Sequence, residues 1–384
     1  MGKRNRRSLK VVALFAGIAG IELGLRRAGH LLRLLCENDP GACSVLADHF
    51  PEVQRHEDIR DLDSVPSGTT LLSAGFPCQD LSQNGDSKGI HGKQSGLVKH
   101  VFRLVEHDPI PWLLLENVPF MLQLNGGEAI RYITKRLEKL GYRWAYRVID
   151  TRAFGLPQRR ERVYMVASLE VHPARLLFTC DVTSPERQSP SGAACGFYWT
   201  EGNTGLGWAV DSVPTLKAGS ALGIPAPPAI WMPDGRIVTP DIRDAERLQG
   251  FQPGWTVAAE NAVPRNYRWR LVSNAVTVDV AEWVGRCLSE DPSEEPQSPL
   301  SFPFNSCGPW PRAAFGSGKG LHGVRVSSWP QRAHPQSLAG FLKYEPKPLS
   351  KRATSGFVAR LKASRLNYPR EFMSALEAHL RTMS

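Results

Sequence analysis

The alternation of short apolar runs with amphipathic segments over the first 170 residues constrains this chain more than any other feature. KVVALFAG (10–17) ends in glycine and leads into a helical pattern with Ile21, Leu25 and Ala28, stopped at Gly29. LLRLLCEND (31–39) reads as the next strand, followed by a helix bearing Ala42, Val45 and Leu46. TLLSAGFP (70–77) and WLLLENV (112–118) are two further apolar runs. Ile130, Ile133, Leu137 and Leu140 recur at helical spacing up to Gly141, and WAYRVIDT and RVYMVASL follow as strands. Apolar strands separated by amphipathic helices predict an α/β fold, with a mostly parallel sheet covered on both faces.

Past residue 170 the pattern changes. Gly, Pro, Ser and Thr dominate to about residue 240, with Trp199, Trp208 and Trp231 interspersed, which predicts a smaller, loop-rich domain. Helical signals return in DIRDAERLQGF (241–251) and in SNAVTVDVAEWVGRCL (273–288). In the second, Val276, Val280, Trp283, Val284 and Cys287 share one face. A Pro/Ser-rich linker (289–311) then precedes a basic extension (312–384), whose Phe357, Leu361, Leu376 and Leu380 lie among basic residues.

Composition narrows the class. The 384 residues are 42% apolar and 22% charged, as in a soluble globular protein large enough for two domains. No apolar run is long enough to span a bilayer, and MGKRNRRSLK lacks a signal-peptide core, so a cytoplasmic protein without a membrane partner is expected. Seven scattered cysteines without a CxxC pair argue against a disulfide framework and against a structural zinc site; no metal is expected. Residues 312–384 carry 13 Lys/Arg against 3 Asp/Glu, the whole of the net charge of +10. Such a segment is either a solvated extension or a surface for a polyanion.

FAGIAG (15–20) sits between a strand and a helix, where glycines let backbone approach a ligand and the helix start offers N–H donors. It is not the GxGxxG dinucleotide fingerprint. Glu37, at the next strand end, suits ribose hydroxyls and equally suits solvent; Asp58 follows a third strand. A glycine turn with two later acidic strand ends fits a nucleoside-bearing cofactor better than either piece alone.

With these elements in place, the chain resembles the cytosine-C5 DNA methyltransferases of bacterial type. The motifs run in the family's order from about residue 10 to 288: the glycine turn, AGFPCQDLS (74–82), Gly96–Leu97, ENV (116–118), QRRERV (158–163), ERLQGF (246–251) and NAV (274–276). Each string is short; their ordered co-occurrence is specific. The resemblance implies a Rossmann-like sheet that binds S-adenosylmethionine, in two parts (1–170 and 241–288), with residues 171–240 as target-recognition domain. It implies cofactor contacts from Phe15, Gly17, Ile18, Gly20, Glu37, Asp58, Ile59, Pro77, Leu97, Asn274 and Val276. Ser273 stands where the family more usually has glycine.

The reaction explains the residue types. C5 of cytosine is a poor nucleophile, so a thiolate must first add at C6 and later leave. Cys78, directly after Pro77, fits that role; a lone cysteine is ordinarily a small buried hydrophobe, as the other six are expected to be. By resemblance Glu116 contacts cytosine N3 and the exocyclic amine, while Arg160 and Arg162 support the base; Asn117 is expected to brace the turn. If 159–162 is strand, Arg160 and Arg162 share a face and Arg159 points away. The base must leave the duplex stack, and residues 79–96 read as a lid. VPTL (213–216) and Gly202, Gly205 and Gly207 suit groove reading. The expected enzyme is thus a monomeric double-stranded DNA (cytosine-5-)-methyltransferase of a restriction–modification or other defence system, with possible partner proteins from that system. The alternatives are an RNA cytosine methyltransferase and a catalytically silent DNA-binding protein of the same fold. The basic extension is expected to contact DNA, docking on the body or a partner being the other options.

Overall fold

A computed structural model describes residues 7–76, 95–185, 189–190, 192–203, 205–219, 226–290, 301–334 and 336–383. Its elements in chain order begin with β1 (Lys10–Leu14), α1 (Gly20–Arg27), β2 (Leu31–Cys36), α2 (Pro40–His49), β3 (Gln54–His56) and β4 (Leu71–Gly75). Then come α3 (Val98–His107), β5 (Trp112–Asn117), α4 (Glu128–Lys139), β6 (Arg143–Asp150), β7 (Gln158–Arg159), β8 (Glu161–Ser168) and α5 (Ala174–Leu177). The smaller unit contributes β9 (Cys195–Phe197), β10 (Ala209–Val210), β11 (Val213–Pro214), β12 (Ala229–Trp231) and β13 (Ile237–Thr239). Helices α6 (Ile242–Leu248), α7 (Arg268–Asn274) and α8 (Val278–Ser289) follow. The chain finishes with β14 (Ser301–Pro303), β15 (Ala313–Gly316), β16 (Leu321–Val324), α9 (Leu338–Phe341), β17 (Lys347–Pro348), α10 (Lys351–Ala363) and α11 (Arg370–Thr382).

The main sheet has ten strands in the order β14-β16-β15-β6-β8-β5-β4-β1-β2-β3. The half from β5 to β3 is parallel, as the apolar runs predict. The other half corrects the expectation of a mostly parallel sheet: β8 runs antiparallel to both β5 and β6, and β15, β16 and β14 continue in antiparallel fashion. The link from β6 to β8 spans only residues 151–160, too short for the helical crossover that a parallel neighbour needs. Helices α3 and α4 bury one face of the sheet. Helices α1, α5 and α8 bury the other.

The helix expected over 273–288 is interrupted. Helix α7 ends at Asn274, Ala275 is extended (φ −62°, ψ 148°), and α8 starts at Val278. Ser273 lies inside α7 and its Oγ donates to the Arg270 carbonyl at 2.9 Å, a position that needs no glycine.

The smaller unit is a five-stranded sheet, β10-β9-β12-β13-β17. Its core joins Phe197, Leu206, Ala229 and Ile237 to Phe357, Leu361, Phe372 and Leu376 from α10 and α11. Trp199, Trp208 and Trp231 pack against this core. The basic stretch 312–384 is therefore divided between the two sheets: β15 pairs with β6 and β17 with β13. Phe372 has ring contacts with Phe197, Trp208 and Trp231 at 4.9, 4.9 and 5.6 Å. Phe372→Ala is expected to cost about 3–5 kcal/mol, the usual price of emptying an aromatic site in a packed core. Urea denaturation followed by tryptophan fluorescence checks it.

Candidate active site and its cofactor cradle

The turn between β1 and α1 is built from strained backbone. Phe15, Gly17 and Ala19 all have positive φ (57°, 54° and 67°), a conformation that a phenylalanine and an alanine hold only when their surroundings enforce it. Gly20 shows one such constraint: a Cβ there would lie 2.2 Å from the Val276 carbonyl oxygen. The Ile18 carbonyl accepts from Trp255 Nε1 at 2.9 Å, and Trp255 stacks on His49 with ring centroids 3.6 Å apart. A Cβ on Gly17, in contrast, would meet nothing within 4 Å among the described residues, so they leave the turn open on that side.

Glu37 closes this turn. Its carboxylate accepts from the backbone N–H groups of Gly17 (2.7 Å), Asn38 (2.9 Å) and Asp39 (2.8 Å). Burial pushes its pKa up, and those three donors oppose the shift. Asp58 caps the turn that contains buried Ile59, accepting from Arg60 N, and the Arg60 guanidinium holds the Asp58 pKa down at about 2. Its carboxylate is thus already paired with an exposed arginine. Phe15 and Leu97 pack against the same apolar cluster. Val276 is buried against Gly20, whereas Asn274 is exposed at the end of α7. Pro77, Cys78 and the lid segment up to residue 94 lie outside the described residues.

Glu116 stands at the carboxyl end of β5, in register with Gly75 of β4 and 8% exposed. Its Oε2 would lie 3.4 Å from a Cβ on Gly75, and its Oε1 lies 3.3 Å from Arg162 Nε. Burial raises the Glu116 pKa; the charges of Arg162 and Arg160 oppose the rise. Arg160 is itself buried and donates from one terminal nitrogen to the Ala275 carbonyl at 2.6 Å. Its Nε and other terminal nitrogen are buried and have no partner among the described residues. Burial, then Arg162, pulls its pKa below the ordinary arginine value. Both arginines therefore face Glu116. Arg159 is exposed and reaches the Gly207 carbonyl at 3.1 Å, the opposite side expected from strand alternation, even though Arg160 itself breaks the strand between β7 and β8. Asn117 Oδ1 accepts from Val118 N at 2.8 Å, bracing the turn after β5.

Two glutamines hold these pieces together. Gln158, fully buried, donates to the Leu248 carbonyl (2.8 Å) and to Gln249 Oε1 (3.3 Å), and accepts from Leu216 N (3.2 Å). Gln249 donates to the carbonyls of Val272 (3.0 Å) and Ala275 (3.3 Å) and accepts from Thr277 Oγ1 at 2.9 Å. VPTL is thereby fastened to the turn at 274–276 that backs Gly20 and Arg160. Neither Gln249 nor Trp255 is among the candidate site residues of the sequence. ERLQGF carried a signal for the first; nothing local marks the second.

A parallel half-sheet with a glycine turn and an acidic strand end at its carboxyl edge defines a Rossmann-like α/β fold. The C-5 cytosine-specific DNA methylase family model matches residues 9–194. The type II methyltransferase M2.BsuMI of Bacillus subtilis (strain 168) is 46% identical over 96% of this chain and 97% of its own. The type II methyltransferase M.BanI of Aneurinibacillus aneurinilyticus is 35% identical over 45% of this chain and 41% of its own. The crystal structure of the S. pombe Dnmt2 methyltransferase shares the fold at a TM-score of 0.55 and 18% identity, covering 73% of this chain and 98% of that one. The chain belongs to the C-5 cytosine-specific DNA methylases, and it is a DNA cytosine-5 methyltransferase.

Replacing Gln158 by leucine strands the Leu216 N–H and the Leu248 carbonyl in the interior. The expected loss is about 1–3 kcal/mol for each group left unpaired. Chemical denaturation of Gln158→Leu beside the wild type measures it.

Proposed function

We propose that this enzyme is the modification methyltransferase of a restriction–modification system. It takes a methyl group from S-adenosylmethionine and places it on C5 of a cytosine flipped out of a short duplex sequence. The observation that carries the reading is Glu116: a buried carboxyl of raised pKa, flanked by two arginines, in register with the strand that leads to Cys78. The relatives named type II methyltransferases support the restriction–modification setting.

The residues present fit the donor. The open side of Gly17 and the Glu37 carboxylate suit an adenosine with an amino-acid end, with Leu97 and Phe15 alongside and Ile18, Gly20, Ile59, Pro77, Asn274 and Val276 completing the cradle. Asp58 would have to share its carboxylate with Arg60. The cofactor, when bound, supplies an electrophilic methyl group.

The Cys78 thiolate adds to C6 of the extruded cytosine, and Glu116 delivers its proton to N3 as electron density moves toward C5. Arg162 and Arg160 stabilise the charge that Glu116 then carries. After C5 is methylated its proton is lost to a base, the C5–C6 double bond re-forms, and Cys78 leaves as thiolate. Glu116 recovers the N3 proton. The 171–240 unit, fastened through Gln158, would read the flanking bases.

Incubation with labelled S-adenosylmethionine and duplex DNA, followed by bisulfite sequencing, should reveal 5-methylcytosine at one short sequence; transfer to RNA alone, or to adenine, sinks the reading. Cys78→Ala should abolish turnover and retain cofactor binding. Glu116→Gln should lower kcat/KM by about 10²-fold or more, within the range for loss of a positioned acid. The sign of the pH effect follows from burial. A raised pKa keeps Glu116 protonated above the ordinary 4.5, so its contribution is present at low pH and lost as pH rises through that raised value. A pH profile of kcat/KM for wild type and Glu116→Gln checks this limb.

A further inference from the structure

Glu22 is a buried ionisable group that the mechanism does not use. It is the third residue of α1 and only 2% exposed. Its Oε1 accepts from Ser73 Oγ at 3.1 Å, while its Oε2 is buried with no hydrogen-bond partner among the described residues. A carboxyl left half-satisfied in the interior is costly, and a glutamine or leucine would fit an apolar helix face at less expense.

Apart from Ser73, its neighbours are apolar or acidic. Glu22 lies in the first turn of α1, three residues after Ala19, so it directly follows the Phe15–Ala19 turn along the chain. Ser73 precedes Gly75 by two residues on β4, so it lies on the same face as the contact between Gly75 and Glu116. The residue in register with Ser73 on β1 is Ala13, which offers no polar group and stands two residues before Phe15. Glu37, held by the Gly17 N–H, acts on Glu22 through space from the end of β2. The acids of α8, which packs on α1, are Asp279 and Glu282, and Glu282 is engaged by Arg27 and Arg286. Burial first, then Glu37, lifts the Glu22 pKa to about 7. Two carboxyls thus flank one glycine turn along the chain: Glu37 on the Gly17 N–H, and Glu22 in the first turn of the helix that follows.

We propose that Glu22 is a cofactor-contact residue whose free carboxylate oxygen receives the α-ammonium group of S-adenosylmethionine. This rests on the reading of S-adenosylmethionine as the methyl donor. The ammonium satisfies the bare oxygen and offsets the repulsion between Glu22 and Glu37. Binding near pH 7 then drives a proton off Glu22.

Calorimetric titration of the full chain separates the possibilities with two ligands. S-adenosylhomocysteine keeps the ammonium and lacks the sulfonium; 5′-methylthioadenosine keeps the nucleoside and lacks the amino-acid end. Glu22→Gln should weaken S-adenosylhomocysteine by about tenfold or more, the scale of a charge-assisted hydrogen bond, with methylthioadenosine affinity retained. The wild type should release a proton on binding S-adenosylhomocysteine at pH 7, seen in buffers of different ionisation enthalpy, and Glu22→Gln should not. Thermal melts should show the ligand-free variant at least as stable as the wild type, since a buried charge is removed. Unchanged affinity for S-adenosylhomocysteine in Glu22→Gln overturns the proposal, and so does an equal loss for both ligands. A wild type that binds neither ligand overturns the donor reading itself, an outcome distinct from a defect confined to the variant.

Discussion

The site depends on a backbone-to-backbone contact between two segments more than 250 residues apart. Gly20, at the start of α1, lies so close to Val276 that a single methyl group would overlap its carbonyl. The same closeness continues along α1 and α8, where Gly24 meets Ala281 and Gly285 meets Ala28. The glycine turn is consequently pressed between the first strand and a segment that returns from the far side of the smaller domain. Because the turn holds two non-glycine residues at positive φ, it needs that pressure to keep its shape.

From this contact the polar interior radiates. Gln249 binds the carbonyls of Val272 and Ala275, Arg160 binds Ala275 as well, and Gln158 ties the set to Leu216 in the smaller unit. A network of this kind is useful only when complete, since each buried amide left without a partner costs as much as several contacts contribute. Among the described residues, two Arg160 nitrogens in it have no partner.

The last third of the chain shows how charge misleads about architecture. Residues 312–384 hold the net positive charge and follow a Pro/Ser-rich stretch, so composition sets them apart. Phe357, Leu361, Phe372 and Leu376 nevertheless build the core of the smaller sheet, and Ala313–Gly316 adds a strand to the larger one. Basic side chains on α10 and α11 occupy the helix faces left over once the apolar face is buried. The apolar spacing was visible in the sequence; its partner sheet, some 150 residues earlier, was not.

By itself the sequence determined the parallel half-sheet, the glycine turn, the acidic strand end at Glu116 and the family, because these depend on local periodicity and on short strings in a set order. It also implied that Arg160 and Arg162 would share a side. Tertiary structure alone decided that β8 reverses direction, that α7 and α8 are separate helices, and that the C-terminal strands and helices are shared between the two sheets. It also decided which polar groups go unpaired. A residue such as Glu22 reads as one acid among many in a helix, and only burial beside Ser73 and Glu37 makes its charge expensive and its free oxygen informative. Periodicity is written in neighbours along the chain, whereas desolvation and close approach are set by neighbours in space.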